Sequence, residues 1–226
     1  MAKTEAEYLS SNFLSVDVDN VDVMLNDKCL VEVEVGYDDI VVGDVKLKMS
    51  RNAHGMHYDR IAHAARHGKV VRLPLAKEII VPNEWVTDVE VEVGDDVWFE
   101  AFEGLEADKW AWKGKLYYVL PYRSLVVAKR GEDVIPLNGY VLGDSQDIQG
   151  ELTVIEKAKR MVIMKILHLG TKVSYPGSRY ESEHKEGDIV RLNVDYLPEL
   201  EDKDHMTFDG GIHVYFHRKN IVAKKY

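Results

Sequence analysis

Four histidines crowd one short stretch of the chain: His54, His57, His63 and His67. The pattern of "YDRIAHAARHG" (58–68) predicts a helix that Gly68 ends. On it Asp59, His63 and His67 fall at i, i+4 and i+8, on one face. A histidine pair at that spacing is able to hold Zn²⁺ or Ni²⁺. No Cys or Glu nearby closes a tetrahedral set, so the stretch reads as a solvated helix face beside Arg60 and Arg66. No metal or other cofactor is expected; were one present, His63 and His67 would be its first candidates.

The remaining chemistry-bearing groups lead no further. "DVDNVD" (17–22) has calcium-loop spacing at first sight, but Val21 stands where an oxygen ligand belongs and no Gly or closing Glu follows. It reads as an acidic entry to a strand. Cys29 is the lone cysteine, which excludes an internal disulfide and a CxxC pair, and it sits in a strand pattern. There is no phosphate-cradling Gly-rich loop, no GxSxG and no HExxH. The expected work of this chain is binding, not catalysis.

The bulk composition points the same way. The chain has 226 residues and a net charge of −10, so phosphate backbones and anionic membranes would repel it unless its basic residues clustered. The densest basic stretch, "HRKNIVAKK", lies inside a strand pattern. No nucleic acid and no membrane is therefore expected as partner. The start lacks a signal-peptide pattern, and the longest apolar stretch, "MVIMKILHLG", is too short to span a bilayer and is broken by Lys165. A cytoplasmic location is the resulting expectation.

The elements that position these residues are mostly strands. "CLVEVEV", "VEVEVGDDVWF", "LYYVLPY", "LVVAK", "YVLGD", "MVIMKIL", "DIVRLNV" and "IHVYF" are short, rich in Val, Ile and Tyr, and bounded by Gly, Asp, Asn or Pro. Trp98 is expected to pack inside. Trp110 and Trp112, in "ADKWAWKGK", read as core packing across a hairpin, with an interface role as the other reading. Residues 1–20 form an acidic arm expected to be loosely held.

The chain also repeats itself. "YYVLPYRSLVVAKR" (117–130) lies over "IHVYFHRKNIVAKK" (212–225) at an offset of 95, with Val119 on Val214 and Arg123 on Arg218. "EVGDDVW" (92–98) matches "KEGDIVR" (185–191) at 93, and "GKVVRLP" (68–74) matches "MKILHLG" (164–170) at 96. "MLNDKCLVE" (24–32) matches "PLNGYVLGD" (136–144) at 112. Four matches in one order indicate a duplicated module of roughly a hundred residues. The jump in offset places a longer loop, holding the predicted helix, in the first copy.

That ordered set resembles the GroES co-chaperonin family. Its opening "PLxDRVxV"-like strand has counterparts in "MLNDKCLVE" and "IPLNGYVLGD". Its "GxVLAVG"-like strand has them in "GKVVRLP" and "MKILHLG", and its "VGDxVxF" in "VGDDVWF" and "EGDIVRL". The closing hairpin has them in "LYYVLPYRSLVVAKR" and "HVYFHRKNIVAKKY". The resemblance spans about 21–226 and rests on order and spacing found twice. It implies an all-β protein of two tandem GroES-like small antiparallel barrels, with one short helix in a loop insert of the first. The organisation would be an arm (1–20), barrel 1 (21–131, enlarged loop 36–67) and barrel 2 (132–226).

The implied activity is capping a GroEL-type chaperonin during ATP-dependent folding, as a ring-shaped homo-oligomer joined through first and last strands. The gripping loop of the first copy would be "GYDDIVVGDVKLKMS" (36–50), with Ile40, Val41 and Val42 as anchors and Val45 and Leu47 as rivals. Burying each in a partner's groove contributes roughly 1.5–3 kcal/mol, so many loops acting together are needed for firm, releasable attachment. The same residues also read as one more buried strand. In the second copy the candidates are Leu152, Val154 and Ile155 of 145–160, where a buried strand is the competing reading. Neither loop carries the family's Gly-Gly-Ile-Val-Leu sequence, and barrels supplied in pairs leave one over in a seven-membered ring. The rival function is a duplicated β-barrel serving as a structural or assembly component, virion-associated or otherwise, with no chaperonin partner.

Overall fold

The computed structural model describes residues 9, 11, 13–20, 26–34, 37–42, 45–50, 67–80, 86–145, 162–170, 184–192, 205–208 and 211–224. They are mostly strand. The chain divides into two compact units, Met1–Ile79 with Asp88–Lys129, and Ile80–Thr87 with Arg130–Tyr226.

In the first unit the strands are β1 (Leu14–Ser15), β2 (Lys28–Val33), β3 (Tyr37–Val42), β4 (Val45–Ser50), β5 (His67–Arg72), β8 (Asp96–Phe99), β9 (Asp108–Trp112), β10 (Lys115–Pro121) and β11 (Leu125–Arg130). A short pair, β6 (Glu78–Ile80) and β7 (Val86–Asp88), precedes β8. The ladder runs β1-β9-β10-β2-β5-β8-β11, and β3 and β4 form a separate two-stranded sheet. Helix α1 (Ala101–Glu106) links β8 to β9 and was not foreseen. The strand expected over "VEVEVGDDVWF" is interrupted. Gly94 turns the chain at φ 99°, a value that favours glycine, and only Asp96–Phe99 continue as strand.

β10 shows why its sequence is continuously apolar. Leu116, Tyr118 and Leu120 are buried on one face, with Phe99 tilted 6.2 Å from Tyr118. Tyr117 and Val119 are buried on the other face, against Leu30, Val71, Trp110, Trp112 and Val18 of the arm. A strand covered on both faces loses its alternation. The described part of the arm is thus docked where loose attachment was expected. Leu9 is fully buried, β1 runs parallel to β9, and the Arg72 guanidinium donates to the carbonyls of Val18 (2.8 Å) and Asp19 (3.0 Å). Asp17 accepts from Asp19 N–H (3.1 Å) and from the Asn20 amide (2.8 Å), so "DVDN" is a hydrogen-bonded turn.

In the second unit the strands are β12 (Asp133–Pro136), β13 (Tyr140–Ser145), β14 (Val162–Leu169), β15 (Ile189–Leu192), β16 (His205–Phe208), β17 (Gly211–His217) and β18 (Ile221–Lys224). The order is β16-β17-β13-β14-β15-β18. Its core gathers Val141, Met164, Ile166, Val190, Leu192 and Phe216.

The two orders are one order. β9-β10-β2-β5-β8-β11 maps strand for strand onto β16-β17-β13-β14-β15-β18, in the same chain sequence. The irregularities recur too. The β2–β5 ladder skips Val71 beside Leu30, and the β13–β14 ladder skips Leu167 beside Leu142. The β8–β11 ladder skips Val126, and the β15–β18 ladder skips Val222. Gly94 N–H donates to Val70 O at 2.8 Å, and Gly187 N–H donates to Ile166 O at 2.8 Å. Conserving bulges as well as pairings is what a duplicated backbone does.

Two expectations need correction. Pro121 opposes Lys28 as His217 opposes Tyr140, so the last hairpins correspond at an offset of 96, not 95. Val119 therefore answers to Tyr215, not Val214; one residue of slip exchanges the faces of a strand. The sheets are also open: among the described residues no ladder joins the first strand of either order to the last, so neither closes as a barrel.

Candidate functional site

The five first-loop candidates lie on the strands of a β-hairpin, β3 and β4. The hairpin is not part of the main sheet. It stands in the chain between β2 and β5, pairing Tyr37↔Ser50 through Val42↔Val45, with only Gly43 and Asp44 between the strands.

The register sorts the candidates. Directly opposed residues share a face of an antiparallel pair, and alternate residues along each strand share it as well. Ile40↔Leu47 and Val42↔Val45 therefore fall on one face, continued by Met49. Val41 falls on the other, opposite Lys46 and in line with Asp39 and Lys48. By register, four of the five anchors are two directly opposed pairs, while Val41 opposes Lys46. The stretch "DDIVVGDVKLKM" shows this pairing only once Gly43-Asp44 is recognised as a two-residue connection. The second-copy candidates Leu152, Val154 and Ile155 lie outside the described residues.

The histidine set is not brought together. His54, His57, Asp59 and His63 lie outside the described residues, and the predicted helix cannot reach 68, because His67 and Gly68 open β5. The reason is tertiary: Gly68 is buried against Val31 and Val33, and any β-carbon there would collide with β2. His67 leans on Trp98, 4.5 Å between ring centres, with Nε2 3.8 Å from Asp96. Burial pulls its pKa below the ordinary value, partly opposed by Asp96. Among the described residues no three His, Cys, Asp or Glu side chains are grouped to hold a metal ion.

The other singled-out residues have structural places. Cys29 is buried in β2, and desolvation pushes its thiol up to about 12, far from nucleophilic thiolate character. Trp110 and Trp112 pack on the cluster that Val18 completes, and Trp112 Nε1 donates to Asp19 at 3.3 Å. No helix among the described residues is long and apolar enough to cross a membrane.

Sequence reasoning missed His217, a buried imidazole of the second unit. It stands 4% exposed where β17 meets a 3-10 turn (Arg218–Asn220), and desolvation lowers its pKa to about 4. Its signal was hidden by the one-residue slip, which matched it to Tyr122 and not to Pro121.

No protein-family model matches this chain, and no curated protein matches it.

Proposed function

We propose that the chain is a tandem, GroES-like docking protein that binds a GroEL-type chaperonin and assists its ATP-dependent folding cycle. The observation that carries the reading is the apolar face of Ile40, Val42, Val45 and Leu47, on a hairpin inserted between the first two core strands of a duplicated six-strand order. That is the place in the chain where the resembling family keeps its gripping loop. The finer fold reading belongs to the same proposal: each open six-strand set is a GroES-like module, and the shared strand order with its repeated bulges supports it.

Affinity of this kind is built from small contributions. Four aliphatic side chains entering a groove supply on the order of 1.5–3 kcal/mol each before ordering costs are subtracted. A ring of chains presenting several hairpins multiplies that attachment while leaving each contact releasable. β18 suits assembly into such a ring. It ends the strand order, and Val222 on it is 57% exposed, whereas the equivalent Val126 is fully buried. An apolar residue on an edge strand invites strand pairing. The same edge favours the second reading, an assembly protein that forms rings or arrays without a chaperonin.

The test is ATPase and refolding by a GroEL-type chaperonin with the purified chain. Ile40→Ser with Leu47→Ser removes one opposed pair and lowers apparent affinity at least tenfold. Val41→Ser, on the opposite face, leaves capping within about twofold. Absence of any effect of the unmutated chain on chaperonin ATPase refutes the docking reading and leaves the assembly reading standing.

A further inference from the structure

We infer that His217 is a proton-operated latch that holds the closing strand of the second unit and releases it in acid, while the first unit, which has Pro121 at that position, stays closed.

The geometry fixes the tautomer. Backbone Lys219 N–H points at Nδ1 from 3.2 Å, so Nδ1 must accept. The Asn138 carbonyl faces Nε2 at 2.9 Å, so Nε2 must carry the proton and donate. The neutral ring thus adds to a backbone bond, Arg218 N–H to Gly139 O at 3.0 Å, in tying the 3-10 turn ahead of β18 to the Leu137–Tyr140 turn ahead of β13. The first unit keeps the equivalent Tyr122 N–H to Asp27 O bond at 2.8 Å but has no imidazole beside it. That second turn is demanding: Asn138 and Gly139 both take left-handed backbone, φ 52° and 78°. In the first unit the corresponding carbonyl, Asn26 O, accepts from Ala76 N–H at 2.9 Å, a bond that no pH change in this range breaks.

Protonation has one place to go, Nδ1. The new N–H would meet the Lys219 N–H head on, so the ring exchanges an accepted bond for a donor–donor repulsion. The ring is buried edge-on to Tyr140, 5.4 Å between centres, with Tyr140 in turn edge-on to Tyr215 at 5.8 Å. The titratable and charged groups facing it are Tyr140 from β13, Tyr215 from β17, and Lys219 and Arg218 from its own turn. Both of the latter are cations that oppose a second positive charge. Burial is the largest cause of the depressed pKa, then Lys219; the Asn138 bond acts the other way.

The sign follows from linkage. Folded His217 titrates near 4 and unfolded histidine near 6.5, so between these values the opened form binds the extra proton. The latch is intact above 6.5 and weakens steadily as pH falls toward 4. The inference is independent of chaperonin docking, since neither His217 nor its partners belong to the hairpin.

Hydrogen-exchange protection factors, measured on the full chain from pH 7.5 to 4.5, test it. Protection of the Ile221–Lys224 amides should fall at least tenfold further than that of Leu125–Arg130. In His217→Gln, whose amide keeps a donor and an acceptor but does not titrate, the two strands should lose protection in parallel. His217→Pro, which installs the first unit's residue, should behave likewise if the glutamine variant misfolds. Parallel loss in the unmutated chain, or a selective loss that survives in the folded variants, overturns the latch. So does an NMR titration of His217 centred near 6.5, or one showing the proton on Nδ1 at neutral pH.

Discussion

The two units solve one folding problem with the same backbone and opposite side-chain volumes. In the first, Val31 of β2 faces Gly68 of β5, and a β-carbon at Gly68 would lie 2.5 Å from both Val31 Cγ1 and Glu32 O. In the second, the position of Val31 is Gly143 and that of Gly68 is Met164. Leu120 becomes Phe216 as well, and a β-carbon at Gly143 would come within 3.0 Å of its ring. Bulk removed from one strand has been returned on its neighbours. Cores tolerate such exchanges when total volume is kept. The difference teaches that pairings and bulges are held by backbone hydrogen bonds and turn geometry, which are common to both units. Packing is settled separately inside each.

The most disruptive way to break the comparison is to move one half of an exchange alone. Gly68→Met puts a side chain into space already filled by Val31 and costs about 3 kcal/mol or more, read as a lowered urea midpoint. Adding Val31→Gly to copy the second unit should recover part of it, with a coupling of about 0.5–3 kcal/mol. Strict additivity of the two substitutions would show that the volumes are not exchanged.

A smaller effect separates the Gly-Asp turns. Asp95 accepts from Glu92 N–H and Asp188 from Lys185 N–H, each at 2.8 Å. Asp95 is buried at 4% exposure, while Asp188 is partly exposed. Asp95→Ala should cost about 1.5–3 kcal/mol, the range for a hydrogen bond to a charged group, and Asp188→Ala distinctly less. Equal midpoint shifts would mean that burial does not distinguish the turns.

The smallest effect belongs to the arm, which has no counterpart in the second unit. Lys113 pairs with Asp19 across the surface, each holding the other's charged form. Exposed pairs are screened and contribute little, so Lys113→Ala should leave the midpoint unmoved within error. A clear loss of stability would show that the arm hangs on this pair more than on Val18 and the Arg72 bonds to its carbonyls.

Much of this was legible from the chain alone, for local reasons. Gly94-Asp95 and Gly187-Asp188 announce the same turn because only glycine takes that φ comfortably and only a short carboxylate reaches back to the i−3 N–H. Leu25-Asn26 and Leu137-Asn138 mark the strand entries likewise. The hairpin escaped because three adjacent aliphatics, Ile40 to Val42, look the same in a loop or a strand; Val41 parts from its neighbours only when Val42↔Val45 sets the register. The arm escaped because nothing in "SVDVDN" tells that Val18 will lie on Leu30 and Val119, which are distant in the chain. The helix expected through 68 failed at Gly68, where residue spacing predicted a terminator and close approach to β2 decided otherwise.

The repeated main strands and their turn chemistry are short-range properties, and the residues of this chain determined them unaided: period-two patterning, positive-φ glycines and the repetition of both. Tertiary structure alone decided the one-residue correction at Pro121 and His217, the burial of β10 on both faces and the isolation of an imidazole between two turns. Each of these depends on which distant strand lies opposite, and a half-buried and a fully buried strand are written with the same amino acids.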